Sequence, residues 1–161
     1  MANVKLVLPE PQPKQVKFLD ATKKNVGYGG ARGGGKSFAI RIKASIMALN
    51  YPGIRQLIVR RTFPELKANH IDNFKKILRP LIKAKLCKYN TTDKEFTFWN
   101  GSLIKFAYCD KEKDTDNFQG QEYDIIYLDE ATQLTEKMMK DITACCRGVN
   151  DFPKRIYYTC N

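Results

Sequence analysis

"GGARGGGKS", residues 29–37, holds five glycines, an arginine and a lysine in nine positions and ends on a serine. Glycine loses more freedom on folding than any other residue, so such a run implies a backbone that must curl tightly or meet a ligand closely. Gly30 to Ser37 fit G-x-x-x-x-G-K-[ST], the P-loop pattern. The surroundings fit as well. "NVGYGG" (25–30) reads as a short strand and "KSFAIRIKASIMAL" (36–49) as a helix. A glycine loop between strand and helix turns successive N–H groups toward an anion, and the helix N-terminus adds its dipole. The expected nucleotide-binding residues are therefore Gly30, Ala31, Arg32, Gly33, Gly34, Gly35, Lys36, Ser37 and Phe38. Lys36 is expected to bridge the β- and γ-phosphates and Ser37 to ligate Mg²⁺. The dinucleotide pattern G-x-G-x-x-G, tried from Gly27, fails at Arg32. A glycine-rich surface loop is the bland alternative, and it leaves the flanking strand and helix unexplained.

Outward from the loop, "DIIYLDE" (124–130) is an apolar strand that delivers two carboxylates at its C-terminal end. In open α/β sheets ligands bind at that end. Asp129 is the expected second metal residue, and Glu130 the residue that polarises a water for attack on the γ-phosphate. An N-cap role for the next helix explains one acid but not the adjacent pair. A glutamate next to the metal aspartate favours the RecA-like branch of P-loop proteins, in which activated water is the nucleophile. Arg32, inside the loop, is placed to neutralise charge on the γ-phosphate or to switch between phosphate and carboxylate partners. A solvent-facing arginine is its plain alternative.

The rest of the chain supplies strands and helices in alternation. "QVKFLDAT" (15–22) reads as a short helix and "RQLIVRR" (55–61) as a buried strand. "PELKANHIDNFKKILRPLIKAK" (64–85) reads as a long helical stretch broken near Pro80. "EFTFWNGSLIKFAY" (95–108) is a hairpin with an Asn-Gly turn, "CDKEKDTDNFQGQ" (109–121) a polar loop, "TEKMMKDITACCR" (135–147) a helix and "RIYYTCN" (155–161) a strand. The predicted fold class is α/β, with a mainly parallel sheet and the hairpin as an antiparallel insertion or edge.

Composition narrows the function classes. The 161 residues suit one domain. No apolar run is long enough to span a membrane, and the N-terminus lacks the apolar core of a signal peptide, so a cytosolic protein is expected. Five cysteines, without CxxC spacing, read as reduced thiols. The net charge of +11 is unevenly spread, with +15 over residues 1–90 and −4 over residues 91–161. A basic excess of that size attracts polyanions.

The order of these segments is specific. "PKQVKFLDA" precedes "GYGGARGGGKS", and after them come "LIVRRTFPELKAN", "FTFWNGSLIKFAYCDKEKDTDNFQGQEYDIIYLDEATQLTEKMM" and "RIYYTCN". Over residues 11–161 the chain resembles the large terminase subunit of tailed bacteriophages, the motor that packages double-stranded DNA into capsids. The resemblance implies a RecA-like (ASCE) P-loop sandwich and an ATPase that uses ATP and Mg²⁺. It implies double-stranded DNA, a portal protein and a small terminase subunit as partners, a homo-oligomeric ring, and the cytoplasm of the bacterial host. It also implies that Gln15 reads the adenine edge, with Gln12 as its rival. Arg32 then matches the family's loop arginine, Glu130 its catalytic glutamate, and Thr159, Cys160 and Asn161 the start of its coupling motif.

Two departures stand out. The family carries a further part of the ATPase domain and a nuclease domain, so residues 1–161 are expected to be a partial ATPase domain. Within it, residues 1–25 form a leader with the adenine-binding region, and residues 26–161 form a P-loop core incomplete at its C-terminus. Gln119 stands where some relatives have an arginine that reaches a neighbouring subunit, which leaves Arg60, Arg61 and Arg147 as candidates by charge alone. The rival functions are another RecA-like motor such as a helicase, a P-loop kinase or GTPase, and a nucleotide-binding module without turnover.

Overall fold

The computed structural model describes residues 3–33 and 35–161; the prediction for Gly34 lies outside the described residues. Its chain alternates strands and helices: α1 (Pro13–Asp20), β1 (Asn25–Gly29), α2 (Lys36–Asn50), β2 (Arg55–Arg60), α3 (Phe63–Leu66), α4 (Asp72–Ile77), α5 (Arg79–Lys83), β3 (Cys87–Asn90), β4 (Glu95–Phe98), β5 (Leu103–Tyr108), β6 (Ile125–Leu128), α6 (Glu136–Thr143) and β7 (Arg155–Cys160). All seven strands form one sheet in the order β1-β7-β6-β2-β5-β4-β3. The five strands from β1 to β5 in that order run parallel, and β4 and β3 continue the sheet antiparallel. This is the expected RecA-like α/β sandwich. β7, the last strand in sequence, lies between the glycine-loop strand β1 and the acid-bearing strand β6.

Pleating explains why both faces of the central strands are apolar. Leu57, Val59, Ile126 and Leu128 point to one side, where Phe118, Met138 and Ile142 cover them. Ile58, Ile125 and Tyr127 point to the other, against Ala39, Ile40, Ala44 and Ala48 of α2 and Phe74 of α4. Parallel strands buried on both faces read as continuous apolar runs, as "LIV" and "IIYL" do.

Four local features differ from the sequence reading. β5 is more than a hairpin arm: it pairs parallel with β2 from Arg55↔Leu103 to Arg60↔Tyr108, so the hairpin is sewn into the central sheet. β3, not predicted, pairs with β4 from Cys87↔Phe98 to Asn90↔Glu95 and forms the sheet edge. Its sequence, "CKYN", is too short and mixed for a period of two to be visible. The long helical stretch is interrupted twice. Leu78 leaves helical geometry ahead of Pro80, as the proline requires, and Lys67–Ile71 forms a π-helical turn. The polar loop 109–121 also holds a 3₁₀ segment, Glu112–Phe118, which buries Phe118.

Candidate nucleotide site

The ends of β1, β2, β6 and β7 meet at a cleft of about 530 Å³ lined by residues that include Arg32, Gly33, Gly35, Lys36, Ser37, Phe38, Arg41, Arg60, Glu130 and Asn161. Gly33 and Gly35 have φ of 75° and 73°, the left-handed region that only glycine enters without strain. Gly35 is doubly constrained, because a Cβ there would lie 2.2 Å from the Gln15 amide nitrogen. Lys36 is buried, and its ammonium donates to the carbonyls of Gly30 and Ala31, each at 2.8 Å. The loop is therefore folded around its own lysine. Arg32 is exposed at the rim, and Phe38 lies under the Arg41 guanidinium, 6.0 Å from ring centroid to Arg41 Cζ.

Ser37 and Asp129 are 92 residues apart in sequence, and the Ser37 hydroxyl donates to Asp129 Oδ2 at 2.8 Å. Asp129 is almost wholly buried and has three further polar contacts. Thr159 Oγ1 donates to Oδ1 at 2.5 Å, His70 Nε2 lies 2.7 Å from Oδ2, and Arg60 Nε stands 3.5 Å from Oδ2. Burial alone would raise the pKa of this carboxyl. The hydrogen bonds from His70 and Thr159 and the charge of Arg60 outweigh it and hold Asp129 well below the usual carboxylate range. Burial in turn pushes His70 below the ordinary imidazole value, against the pull of Asp129. An ionised carboxylate only accepts hydrogen bonds, so at 2.7 Å His70 Nε2 is the donor to Asp129.

Glu130 is a non-glycine residue in left-handed geometry, φ 55° and ψ 49°. Such a conformation costs about 1–3 kcal/mol and persists only where its surroundings enforce it. Here Thr159 Oγ1 accepts from the Glu130 N–H at 3.1 Å, and the carboxylate receives the Asn161 amide at 2.9 Å and faces Arg60 Nη2 at 3.7 Å. The β7 end thus supplies two residues that hold the paired acids, Thr159 and Asn161. Cys160 stands behind the cleft, with its sulfur 3.8 Å from where a Gly29 Cβ would lie.

Gln15 is brought to the loop but not to the cleft lining. Its amide oxygen accepts from the Gln12 N–H at 2.7 Å and its nitrogen donates to the Gly35 carbonyl at 3.1 Å. In this arrangement the Gln15 oxygen closes the start of α1 and its nitrogen ties that helix to the glycine loop. Of the three arginines singled out by charge, Arg60 is 7% exposed and faces the chain's own cleft. Arg61 and Arg147 are on the surface, 3.2 Å from Asp110 and 3.9 Å from Glu122. Residues that sequence reading missed are His70 and Arg41, whose guanidinium donates to the Asn69 carbonyl. Both reach the site from helical segments with no motif of their own.

Oxygen donors alone, Ser37 Oγ and Asp129 Oδ2, suit a hard cation such as Mg²⁺. No group of three His, Cys, Asp or Glu residues that could hold a metal ion occurs among the described residues; Mg²⁺ characteristically takes one or two protein carboxylates and fills its shell with water and phosphate oxygens.

Solved structures share this geometry's framework. The chain is similar to the large terminase of a thermophilic bacteriophage, with TM-score 0.75 and 20% identity over 94% of this chain and 39% of that one. It is similar to the HK97 bacteriophage large terminase, with TM-score 0.74 and 15% identity over 94% and 33%. It is similar to the ATPase domain of the Thermus phage P74-26 large terminase, with TM-score 0.69 and 16% identity over 94% and 64%. The chain thus spans about two fifths of the first of these proteins, which has also been solved in complex with ADP and with ATP-γ-S. No curated protein sequence matches the chain significantly. The family described as "Terminase large subunit, T4likevirus-type, N-terminal" matches residues 28–142, well over half of the chain. The chain belongs to this family of phage terminase large subunits.

Proposed function

We propose that this chain is the ATP-hydrolysing part of a packaging motor that drives double-stranded DNA into a procapsid in the bacterial cytoplasm, working as a homo-oligomeric ring with a portal protein and a small terminase subunit. The observation that carries the reading is the 2.8 Å bond between Ser37 and Asp129, which brings the glycine loop and the acid pair to one point. The complexes of the thermophilic phage's terminase with ADP and ATP-γ-S support a nucleotide as the ligand. No helix of the described residues is long and apolar enough to cross a membrane.

The chemistry follows from the groups present. Loop N–H groups and Lys36 take the phosphates, and Lys36 exchanges its bonds to the Gly30 and Ala31 carbonyls for phosphate oxygens. Ser37 and Asp129 hold Mg²⁺, which when bound neutralises charge on the phosphate oxygens. Arg32 moves in from the rim to the γ-phosphate. Glu130 orients the attacking water and accepts its proton, a role worth about 10²–10⁴-fold in rate. Asn161, on the Glu130 carboxylate, passes the state of the γ-phosphate into β7.

DNA contact has its own support. A groove of about 980 Å³ runs along the β3 edge, lined by Lys75, Arg79, Lys83, Lys85 and Lys88 with no acid among its lining residues. Cations gathered in this way attract a phosphate backbone without reading its sequence.

Steady-state ATP hydrolysis by the chain and by Glu130→Gln, with ATP binding in parallel, tests the reading. We expect turnover in wild type and binding without turnover in the variant. Binding by both with turnover in neither makes the chain a nucleotide-binding module that needs further parts. Binding by neither removes the nucleotide site.

A further inference from the structure

We propose that His70 is a positioning residue for the carboxylate of Asp129, acting from behind the cleft to fix the metal-binding oxygen. The inference rests on the nucleotide-site reading above and adds to it a residue that belongs to neither the glycine loop nor the acid pair. His70 is the chain's single histidine. It is 0% exposed and does not line the cleft. Its Nε2 lies 2.7 Å from Asp129 Oδ2, the same oxygen that takes the Ser37 hydroxyl.

Packing does not account for an imidazole here. Its second nitrogen, Nδ1, is buried with no hydrogen-bond partner among the described residues. A buried polar atom left unpaired is destabilising, and a leucine or phenylalanine would fill the space beside Phe74 without that loss. What the imidazole supplies and those residues do not is a donor aimed at Asp129.

The backbone is also shaped for the contact. His70 sits in the π-helical turn Lys67–Ile71, a rare geometry that concentrates at functional sites. The wide turn carries one extra residue. Removing it would rotate one side of the helix against the other by roughly 100° about the axis and carry the position of His70 away from β6. Side chains of the same segment satisfy the carbonyls of this turn. Asn69 Nδ2 donates to Glu65 O at 2.9 Å, and Asn73 Nδ2 donates to Ala68 O at 3.1 Å and Asn69 O at 3.2 Å. The Arg41 guanidinium, on α2, also donates to Asn69 O.

Asp129 is thus held by two donors that do not face the phosphates, His70 on Oδ2 and Thr159 on Oδ1. When Ser37 turns its hydroxyl oxygen to a cation, those two still define the carboxylate plane. Outer-shell donors of this kind are worth about 10–100-fold in metal affinity or activity.

The experiment compares three variants of the 161-residue chain. His70→Gln keeps an N–H donor near the reach of Nε2. His70→Asn has an amide too short to reach Asp129, and His70→Leu has none. Each is checked for folding by circular dichroism and for ADP binding in excess chelator. Mn²⁺ binding to the ADP-loaded protein is then measured by electron paramagnetic resonance. We expect metal-free ADP affinity within about 2-fold of wild type throughout. Mn²⁺ affinity should fall about 10–100-fold in Asn and Leu and stay within about 3-fold in Gln. Folded Asn and Leu variants that bind Mn²⁺ like wild type overturn the inference. If Leu does not fold, the Gln–Asn difference decides alone, and equal affinities overturn it. A wild type that binds no ADP overturns the nucleotide reading itself and the inference with it, a result visible before any variant is made.

Discussion

The nucleotide cleft and the basic groove at the β3 edge are both rich in charge, and they share no lining residue. In the cleft Lys36, Arg60 and Asp129 are buried and set against polar or charged partners, while Arg32 is exposed at the rim. Lys36 sits on two carbonyls, Asp129 has four polar neighbours, and Arg60 stands between Asp129 and Glu130. In the groove Lys83, Lys85 and Lys88 are exposed, with no acid in the lining; Lys75 rests on the Tyr89 ring at 4.6 Å. Buried charge is tolerated only in fixed geometry beside its partners, and that rigidity suits one small, highly charged ligand. Exposed cations stay mobile and hydrated. They suit a long polyanion whose register need not be fixed.

The sharpest way to test the rule of answered charge is Asp124, at the opposite end of β6 from the cleft. It is fully buried and receives Lys154 Nζ at 2.7 Å, Asn150 Nδ2 at 2.8 Å and the Arg55 N–H at 2.9 Å. Asp124→Ala strands those donors and should cost about 3–5 kcal/mol, or about 10 °C in Tm. Calorimetry reads the loss, and turnover per folded molecule should not change.

Next in size is Lys36→Ala. It removes the proposed phosphate donor, and turnover should drop by about 10²–10³-fold. DNA affinity, measured in the absence of nucleotide, should stay as in wild type. A Lys36 variant that loses both would mean that the two regions are one site.

The smallest effect is expected at the groove. Lys83→Glu with Lys88→Glu should weaken duplex binding by about 10-fold at low salt and lower the salt slope by about one for each lost phosphate contact. ATP binding should be untouched. A double variant that binds DNA as well as wild type, with the same slope, would reduce the groove to a solvated surface.

Much of the cleft was legible because its parts are local. The glycine loop needs consecutive residues to curl, and the acid pair needs a strand to end, so each leaves a contiguous signature in "GGARGGGKS" and "IIYLDE". The alternation of strand and helix likewise announces a parallel α/β sheet. His70 left no such trace. A histidine in the middle of "KANHI" has ordinary neighbours, and the turn that widens there depends on Asn69, Asn73 and Arg41 closing around it. β3 was hidden for a related reason: "CKYN" becomes a strand by pairing with β4 rather than by its own pattern. Arg60, a candidate for a neighbouring site by charge alone, faces its own cleft because β6 delivers two carboxylates beside it.

By itself, then, the sequence determined the glycine loop, the acid pair, the mainly parallel sheet and the family resemblance, because each is written in residues adjacent along the chain. Tertiary structure decided what those residues touch. It placed β7 between β1 and β6, so that Thr159 and Asn161 grip the two acids. It turned Gln15 onto the loop, Arg60 into its own cleft and His70 onto Asp129. These contacts join positions from 20 residues apart (Gln15 and Gly35) to 69 apart (Arg60 and Asp129), and only the packing of helices and strands in the folded sheet brings such positions together.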